Sequence, residues 1–258
     1  MSKLLKLIVS MVAVSSFSAA SAEEPADGRV FELRTYQANP GKLDALLSRF
    51  RDHTCMLFEK HGMTNIGYWV PVQNPDNLLI YLLAHPDRES AAASWKAFVN
   101  DPKWKEVAAA SQRDGKLVGK IDSVYLKATD FSKGFEQFSK GEGEHIFEMR
   151  TYTATPGNLH ALLSRFRDHA LKLFEKHDML NAGYYSLLPD QAGADKTLLY
   201  FLGHGSVEGA GKSWDAFRQD ETWVAAKKSS EEKAGGSLTA DGGVQSLFLK
   251  ATDFSPAK

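Results

Sequence analysis

The sequence predicts an α+β protein in which two copies of one unit close together into a barrel. Three observations predict this fold. Most of the sequence occurs as two similar copies, whose first matched segments are 116 residues apart. So long a period indicates a duplicated domain rather than a solenoid repeat. Each copy reads strand, helix, strand, strand, helix, strand. The first strand of each copy also carries side chains on both faces that need cover.

The duplication is visible in four matched segments, whose offset rises from 116 to 123 residues along the chain. The rising offset places small insertions in the loops of the second copy. The pairs of segments are 31–36 with 147–152, 46–53 with 162–169, 94–98 with 213–217, and 127–132 with 250–255. We therefore predict a first domain at 29–132 and a second at 145–255. The linker 133–144 is rich in Gly, Lys and Glu, and we expect it to join them flexibly.

The first 22 residues have the pattern of a secretory signal peptide. Lys3 and Lys6 precede an apolar run, and Ala20-Ser21-Ala22 is a small-x-small cleavage signal. The apolar run is too short to span a membrane. We expect cleavage after Ala22 and a periplasmic or secreted mature protein.

Charge and cysteine content exclude several classes of function. Without Lys3 and Lys6 the mature chain has 29 basic and 32 acidic residues, a net charge of −3. This balance offers no basic surface for nucleic acid and no polybasic patch for a membrane. The single cysteine, Cys55, excludes an internal disulfide. Its counterpart is Leu171, so we expect a structural role for it.

The first strand and helix of the unit follow from residue periodicity. Residues 30–36 alternate and are rich in β-formers, and Asn39-Pro40-Gly41 then breaks the strand. Apolar residues at helical spacing continue as far as Phe58, so we predict a helix that ends at His61-Gly62. The second copy has Asp178 in place of the glycine, which is a poorer but tolerated residue there.

The remaining strands and helices of the unit can also be predicted. We predict strands at 66–72 and 78–85, separated by the turn signal at 73–77. A helix follows from Arg88 to about Val99, with a break at Asp101-Pro102 and more helix through Ala110. The fourth strand is predicted at 121–127.

This element order is the ferredoxin-like arrangement, one antiparallel sheet with helices on one face. In the first strand Phe31, Leu33 and Thr35 share one face, and Glu32, Arg34 and Tyr36 share the other. We assign the apolar set to the helices and the mixed set to the other copy. The two sheets then pack together as an α/β barrel within one chain.

Four segments of the unit have a distinctive sequence: the Phe-Glu-Leu-Arg-Thr-Tyr strand, the Pro-Gly before the first helix, Phe-Glu-Lys-His-Gly at its end and the Ser-Trp-x-Ala-Phe helix. These segments resemble the NIPSNAP family, which belongs to the dimeric α/β-barrel superfamily. The resemblance covers 29–131 and 145–254. It implies two tandem ferredoxin-like domains that pair as an intramolecular dimeric barrel. It implies no particular chemistry, because the family has no generally established one.

The repeated strand motif supplies the first candidate ligand-binding residues. Arg34, near Glu32 and Tyr36, is suited to a carboxylate or an oxyanion. The alternative is an ion pair, either internal between Glu32 and Arg34 or between the two copies, that satisfies a polar interior. The same readings apply to the second-copy residues Glu148, Arg150 and Tyr152.

Repeated histidines and tyrosines supply the other candidates. His61 can line a pocket, or it can interact with the dipole at the end of its helix. Tyr81 and His85 share a strand face and could act as proton donor and base, or they could pack at the edge of the core. Their second-copy mates are His177, Tyr200 and His204.

Three hypotheses of function remain. The leading one is a barrel that binds a small apolar or semi-polar molecule, with Arg34, Tyr36, Tyr81, His85 and their mates in its pocket. The second is a monooxygenase- or isomerase-type enzyme, cofactor-free or haem-linked with a histidine ligand. The third is an interaction or scaffold module with no ligand. A filled interior with a complete Glu32–Arg34 ion pair would argue against the first two.

The sequence names no cofactor. No phosphate loop, nucleophile elbow or metal-ligand cluster is present in it. The expected partner is a small molecule, and the chain could form a homo-oligomer.

Overall fold

The computed structural model describes residues 27–139 and 143–258. The predicted signal peptide lies outside these residues. Within them, each copy forms four strands and a set of helices in the predicted order.

The first copy contains β1–β4 and α1–α4. A π-helical turn at Phe50–Thr54 joins α1 to α2. The bounds are β1 Val30–Ala38, α1 Leu43–Arg49, α2 Cys55–Lys60, β2 Thr64–Pro71, β3 Leu78–His85, α3 Arg88–Asn100, α4 Pro102–Ser111 and β4 Val118–Ala128.

The second copy repeats the first after a short helix α5. A second π-helical turn at Phe166–Ala170 joins α6 to α7. The bounds are α5 Glu136–Ser139, β5 Ile146–Ala154, α6 Leu159–Arg165, α7 Leu171–Lys176, β6 Leu180–Leu187, β7 Thr197–His204, α8 Val207–Gln219, α9 Glu221–Ala234 and β8 Thr239–Ala251.

The eight strands form one closed antiparallel barrel in the order β1-β3-β2-β8-β5-β7-β6-β4. Within each copy the order is that of a ferredoxin-like sheet, with the first strand between the third and the fourth. The copies join through two short ladders, β2 with β8 and β4 with β6. The predicted barrel within one chain is confirmed.

The barrel interior is filled by apolar side chains from both copies. Phe31 contacts Tyr185 at a ring-centroid distance of 4.9 Å, and Trp69 contacts Phe147 and Phe201 at 5.5 and 5.4 Å. Leu33 belongs to the same buried cluster. The apolar face of β1 therefore points into the barrel, and our assignment of this face to the helices is wrong.

The opposite face of β1 lies under the helices. Tyr36 contacts Phe50 of the first helical segment at a ring-centroid distance of 5.9 Å, and it belongs to a buried cluster that includes Phe58 and Phe98. The reversal has a physical reason. The interior brings together apolar side chains from both copies, whereas the helix side supplies the hydrogen-bond donors that a buried charged pair requires.

The segment predicted as a flexible linker takes part in the core. Residues 140–142 lie outside the described residues, but Phe135 and Phe138 are buried in the interior cluster. Phe135 lies 5.5 Å from Trp69 and 5.4 Å from Phe201, so it bridges the two copies. The expectation of flexibility is therefore wrong for 135–139.

The residues that follow the last strand of each copy form a tail, which lies against the other copy. The backbone N–H of Tyr184 donates to Ser132, and that of Tyr68 donates to Ser255. Ion pairs repeat the exchange, Arg167 with Asp130 and Arg51 with Asp253. The repeated Lys-Ala-Thr-Asp-Phe-Ser motif thus joins the two copies.

No helix in the described part of the chain is long and apolar enough to cross a membrane.

Candidate functional site

The structure brings together four of the candidates of the first copy around Glu32. This carboxylate is fully buried on the helix side of β1. Its Oε1 accepts from Arg34 Nη1 at 2.5 Å, and the Arg34 Nη2 lies 3.4 Å from the Tyr36 hydroxyl. Its Oε2 lies 3.1 Å from His85 Nε2. Because an ionised carboxylate only accepts, His85 Nε2 must carry the hydrogen.

Two further donors that the sequence did not indicate complete the shell of Glu32. Trp95 of α3 donates its indole N–H to Oε2 at 2.7 Å, and Ser123 of β4 donates its hydroxyl to Oε1 at 2.7 Å. The Arg34 guanidinium also lies over the Trp95 ring, 4.2 Å from its centroid. Each oxygen of Glu32 therefore accepts two hydrogen bonds, and the carboxylate ties two other strands and a helix to β1.

The second copy repeats this cluster. Glu148 accepts from Arg150, whose Nη2 lies 3.3 Å from the Tyr152 hydroxyl, and it pairs with His204 at 3.0 Å. Trp214 and Ser246 are the matching further donors.

The donors keep both glutamates ionised. Burial raises the pKa of Glu32, but His85, Arg34, Trp95 and Ser123 outweigh it and lower the pKa to about 2. The pKa of Glu148 is lowered to about 2 in the same way. An ionised carboxylate whose lone pairs are all engaged has little capacity left to act on a substrate, so this geometry favours an architectural role.

Tyr81 and Tyr200 lie away from these carboxylates, within the aromatic layer under the helices. Tyr81 is fully buried, with its ring 5.2 Å from those of Tyr36 and Phe50. Tyr200 has the same surroundings in the second copy. Burial raises the pKa of both phenols well above the ordinary value.

His61 and His177 belong to a separate cluster at the end of the first helical segment of each copy. His61 Nε2 lies 2.8 Å from Asp101 Oδ2, and His177 Nε2 lies 3.0 Å from Asp220. The hydrogen bond from Lys60, and to a lesser extent the one from His61, lowers the pKa of Asp101. The aspartate also accepts from two backbone N–H groups and so begins α4.

A cleft of about 340 Å³ opens beside the first-copy cluster, between α4 and the strands β1 and β4. Of the predicted site residues, Tyr36 alone lines it. Its walls are mostly aromatic and aliphatic side chains, with polar groups at a few points, as in many small-molecule sites. The lining residues are Tyr36, Arg49, Phe50, Thr54, Phe58, Phe98, Trp104, Gln112, Lys116, Val118, Gly119 and Ile121.

Arg49 is the charged side chain buried in this cleft. The residue is only 8% exposed, yet its guanidinium forms no ion pair with any described carboxylate. Nη1 reaches Ser111 Oγ at a long 3.4 Å, and the buried Nε has no partner among the described residues. The Trp104 ring lies 5.1 Å from the guanidinium carbon. Burial lowers the pKa of Arg49 from its ordinary value.

Local sequence explains how this arginine is placed. Arg49 ends α1 where the π-helical turn begins, and Thr54 Oγ1 donates to the Arg49 carbonyl at 3.1 Å. On the facing side Asp101 and Pro102 begin α4, which sets Trp104 in its first turn against Phe98 at 4.4 Å. π-helical turns of this kind occur frequently at functional sites.

The equivalent arginine of the second copy has an acidic partner. Arg165 Nη1 lies 3.3 Å from Glu231 Oε1 and 3.5 Å from Ser230 Oγ. Ser230 and Glu231 stand 119 residues after Ser111 and Gln112, the same offset that relates the tryptophan helices. A neutral amide in the first copy thus becomes a carboxylate in the second.

The clefts of the second copy lie along α9 and have a different character. One of about 600 Å³ is lined by Arg165, Asp168, His169 and Lys233, with small residues making up most of the rest. Another of about 690 Å³ lies on the side of Trp223 and Glu232. Neither has the aromatic walls of the first-copy cleft.

Sequence reasoning missed Arg49, although the signal was present. The segment 46–53 is identical to 162–169, so the arginine is retained in both copies within an apolar helix face. The informative difference, Gln112 against Glu231, lies 63 residues further on and becomes meaningful only once the fold places it beside the arginine.

The cleft does not fit a haem held by a histidine. Its described lining offers no histidine, cysteine or methionine as an axial ligand. His85 and His61 are each engaged by a carboxylate elsewhere. Among the described residues no group of three or more His, Cys, Asp and Glu side chains is placed to hold a metal ion.

Solved structures with a similar fold exist at low sequence identity. An anthrone oxidase-like protein is 13% identical, with a TM-score of 0.56, over 90% of this chain and 95% of its own. A putative monooxygenase from Fusobacterium nucleatum is 9% identical, with a TM-score of 0.55, over 86% and 92%. Both likenesses concern the fold alone.

The family is established by sequence. A NIPSNAP family protein of unknown function from Agrobacterium tumefaciens is 23% identical over 41% of this chain and 92% of its own, with a TM-score of 0.37. No curated protein matches. The NIPSNAP family model matches residues 31–133 and again 147–256, which together make up most of the chain. The chain therefore belongs to the NIPSNAP family, with two tandem NIPSNAP units in one barrel.

Proposed function

We propose that this is an exported protein that binds a small, partly apolar molecule in the first-copy cleft between α4 and the sheet. The observation that carries the proposal is an arginine, nine-tenths buried and without an acidic partner among the described residues, in the wall of an aromatic cleft. The signal-like sequence of residues 1–22 supports export.

The cleft replaces the barrel interior as the binding site. Aromatic and other apolar side chains from both copies fill the interior, so we place the ligand in the cleft on the helix side of the sheet. The cleft is open to solvent along the exposed Ile121 and Lys116, and its 340 Å³ lies within the range of small-ligand sites.

Native mass spectrometry tests this proposal. Protein purified from the periplasm without refolding should carry the added mass of a small molecule, lost on denaturation. Replacing Ile121, which is 47% exposed, by Trp should fill the mouth of the cleft and remove the added mass. The matched control is Val244→Trp, because Val244 pairs with Tyr152 as Ile121 pairs with Tyr36.

The outcomes separate the hypotheses. A bare wild-type mass would contradict ligand binding and favour the interaction module. Retention of the ligand by Ile121→Trp would place the site elsewhere. The same spectrum tests export, since cleavage after Ala22 removes residues 1–22.

A further inference from the structure

We propose that the first-copy cleft selects an anion, namely the carboxylate of a small molecule with an aromatic or other apolar body, and that the second copy does not. This inference rests on the proposed function and adds the class of ligand and the inequality of the two halves. Arg49 and Lys116 provide the charge, and the aromatic walls receive the apolar body.

The first argument is the state of Arg49. A buried guanidinium is normally paired, because an isolated charge loses its hydration without compensation. Among the described residues, the Arg49 guanidinium donates only to the hydroxyl of Ser111, at a long 3.4 Å. A ligand carboxylate can supply the missing acceptor, and arginine suits it because its planar fork matches the two oxygens.

The second argument is the charge of the lining. The described cleft residues include two cations, Arg49 and Lys116, and no Asp or Glu. Seven of the remaining positions are Tyr36, Phe50, Phe58, Phe98, Trp104, Val118 and Ile121, which are apolar or aromatic. Such a lining attracts an anion and shelters a ring or alkyl group.

The third argument is the contrast with the second copy. Glu231 takes the place of Gln112 and pairs with Arg165. Ser237 takes the place of Lys116: Asn39 Nδ2 donates to the Lys116 carbonyl, and Thr155 Oγ1 donates to that of Ser237. At these three positions, two cations without an acid thus become one arginine that is paired with a glutamate, so a side chain of the protein takes the place of the ligand's carboxylate.

The experiment compares two probes of nearly equal shape, 2-naphthoate and its neutral amide 2-naphthamide, by isothermal titration calorimetry on the full mature protein. We expect 2-naphthoate to bind once per chain and at least ~10-fold more tightly than the amide. Gln112→Glu introduces the residue found at the equivalent position of the second copy. Its carboxylate should pair with Arg49 and remove the difference in affinity between the two probes.

A charge control keeps the test specific. Gln219→Glu adds the same negative charge at an exposed position on α8, outside the cleft, and should preserve the preference for the carboxylate. Circular dichroism and the melting temperature establish that each variant is folded. The Gln112→Glu variant should be at least as stable as the wild type, because its new carboxylate pairs a buried cation.

Each alternative result has a definite meaning. Equal affinity for both probes would overturn the anion preference while supporting a small-molecule site. Two equivalent sites per chain would overturn the inequality of the halves. Binding of neither probe would overturn this inference, whereas the native mass of the untreated protein decides the proposed function separately.

Discussion

Four donors surround each of the two buried glutamates, and their number decides what these residues do. Removing a carboxylate from water is strongly unfavourable unless its lone pairs are satisfied. Glu32 is satisfied by residues of β1, β3, β4 and α3, so the charge joins elements that are distant in sequence. A ligand would have to displace one of these donors to reach it.

We expect Glu32→Gln to lower the free energy of unfolding by about 3 kcal/mol, because Arg34 and the other donors would face an uncharged amide that itself brings donors. Urea denaturation measures the loss. Glu148→Gln should behave alike, since its surroundings are the same. The exposed Glu89→Gln is the control and should change stability little.

Acid titration provides the second readout of that variant. The pKa of Glu32 falls from 4.5 in the unfolded chain to about 2 in the folded one, so its contribution is present above about pH 4.5 and disappears as the pH falls towards 2. At about 1.4 kcal/mol per pKa unit this amounts to about 3 kcal/mol. Glu32→Gln should lose this share of the acid dependence. An unchanged acid profile would contradict the role assigned to Glu32.

The residues of this cluster could be predicted from the sequence, but their surroundings could not. The alternation of β1 correctly groups Glu32, Arg34 and Tyr36 on one face. Both faces of the strand are buried, so alternation alone does not decide which one meets the helices. Trp95 and Ser123 decide it, and they lie 63 and 91 residues from Glu32.

At the scale of elements, the π-helical turns shape the cleft. Each adds a residue to a helical turn, which changes the direction of the following helix and leaves backbone carbonyls to be satisfied. In the first copy Thr54 satisfies the carbonyl of Arg49. In the second copy Ala170 stands at that position, so the turn forms without this bond.

We expect Thr54→Ala to reduce stability by about 1 kcal/mol, the usual contribution of one buried hydrogen bond, without loss of the fold. The change also removes a side chain from the cleft wall and should weaken binding of whatever ligand native mass spectrometry identifies. Thermal denaturation and ligand titration measure the two effects. Thr54→Ser retains the hydroxyl and should keep most of the stability; an equal loss in both variants would argue against the hydrogen bond.

Element order was predictable, whereas the π-helical turns were not. Apolar residues at 43–58 fit an uninterrupted helix nearly as well, because one added residue shifts the pattern only slightly. The end of this helical segment in each copy could be predicted. Gly62 and Asp178 both adopt positive φ, 77° and 58°, as expected of residues that end a helix.

At the scale of the whole molecule, the exchanged tails make each copy pack against residues of the other. Phe131, from the first copy, is buried in the core of the second, 5.5 Å from Tyr184. Phe254 packs in return against Tyr68 of the first, at 5.4 Å. Both halves of the barrel therefore depend on residues that belong to the other copy.

We expect Phe131→Ala to lower the free energy of unfolding by about 3 kcal/mol and to shift a single transition rather than divide it in two. Phe254→Ala should act in the same direction but less strongly, because Phe254 is only partly buried. Urea denaturation followed by fluorescence and by circular dichroism should give coincident curves. Val99→Ala, at a site 49% exposed, is the control. Two separate transitions would contradict this coupling.

The pairing of the copies was predictable from the need to cover both sheet faces, but the filling of the barrel was not. Phe135 and Phe138 sit in a segment whose Gly, Lys and Glu content is typical of a linker. The overall composition of such a segment predicts a flexible linker, but the burial of two aromatic rings is enough to anchor it to the core.

Joining the two copies covalently removes a constraint that binds a dimer of identical chains. In such a dimer every substitution appears on both sides of the two-fold axis, so both clefts must change together. Here Gln112 and Glu231 are encoded separately. One cleft can therefore keep an arginine without an acidic partner, while in the other the arginine is paired with a glutamate. The tandem chain can therefore assign one half to recognition and the other to support, a division of labour that a symmetric pair cannot reach.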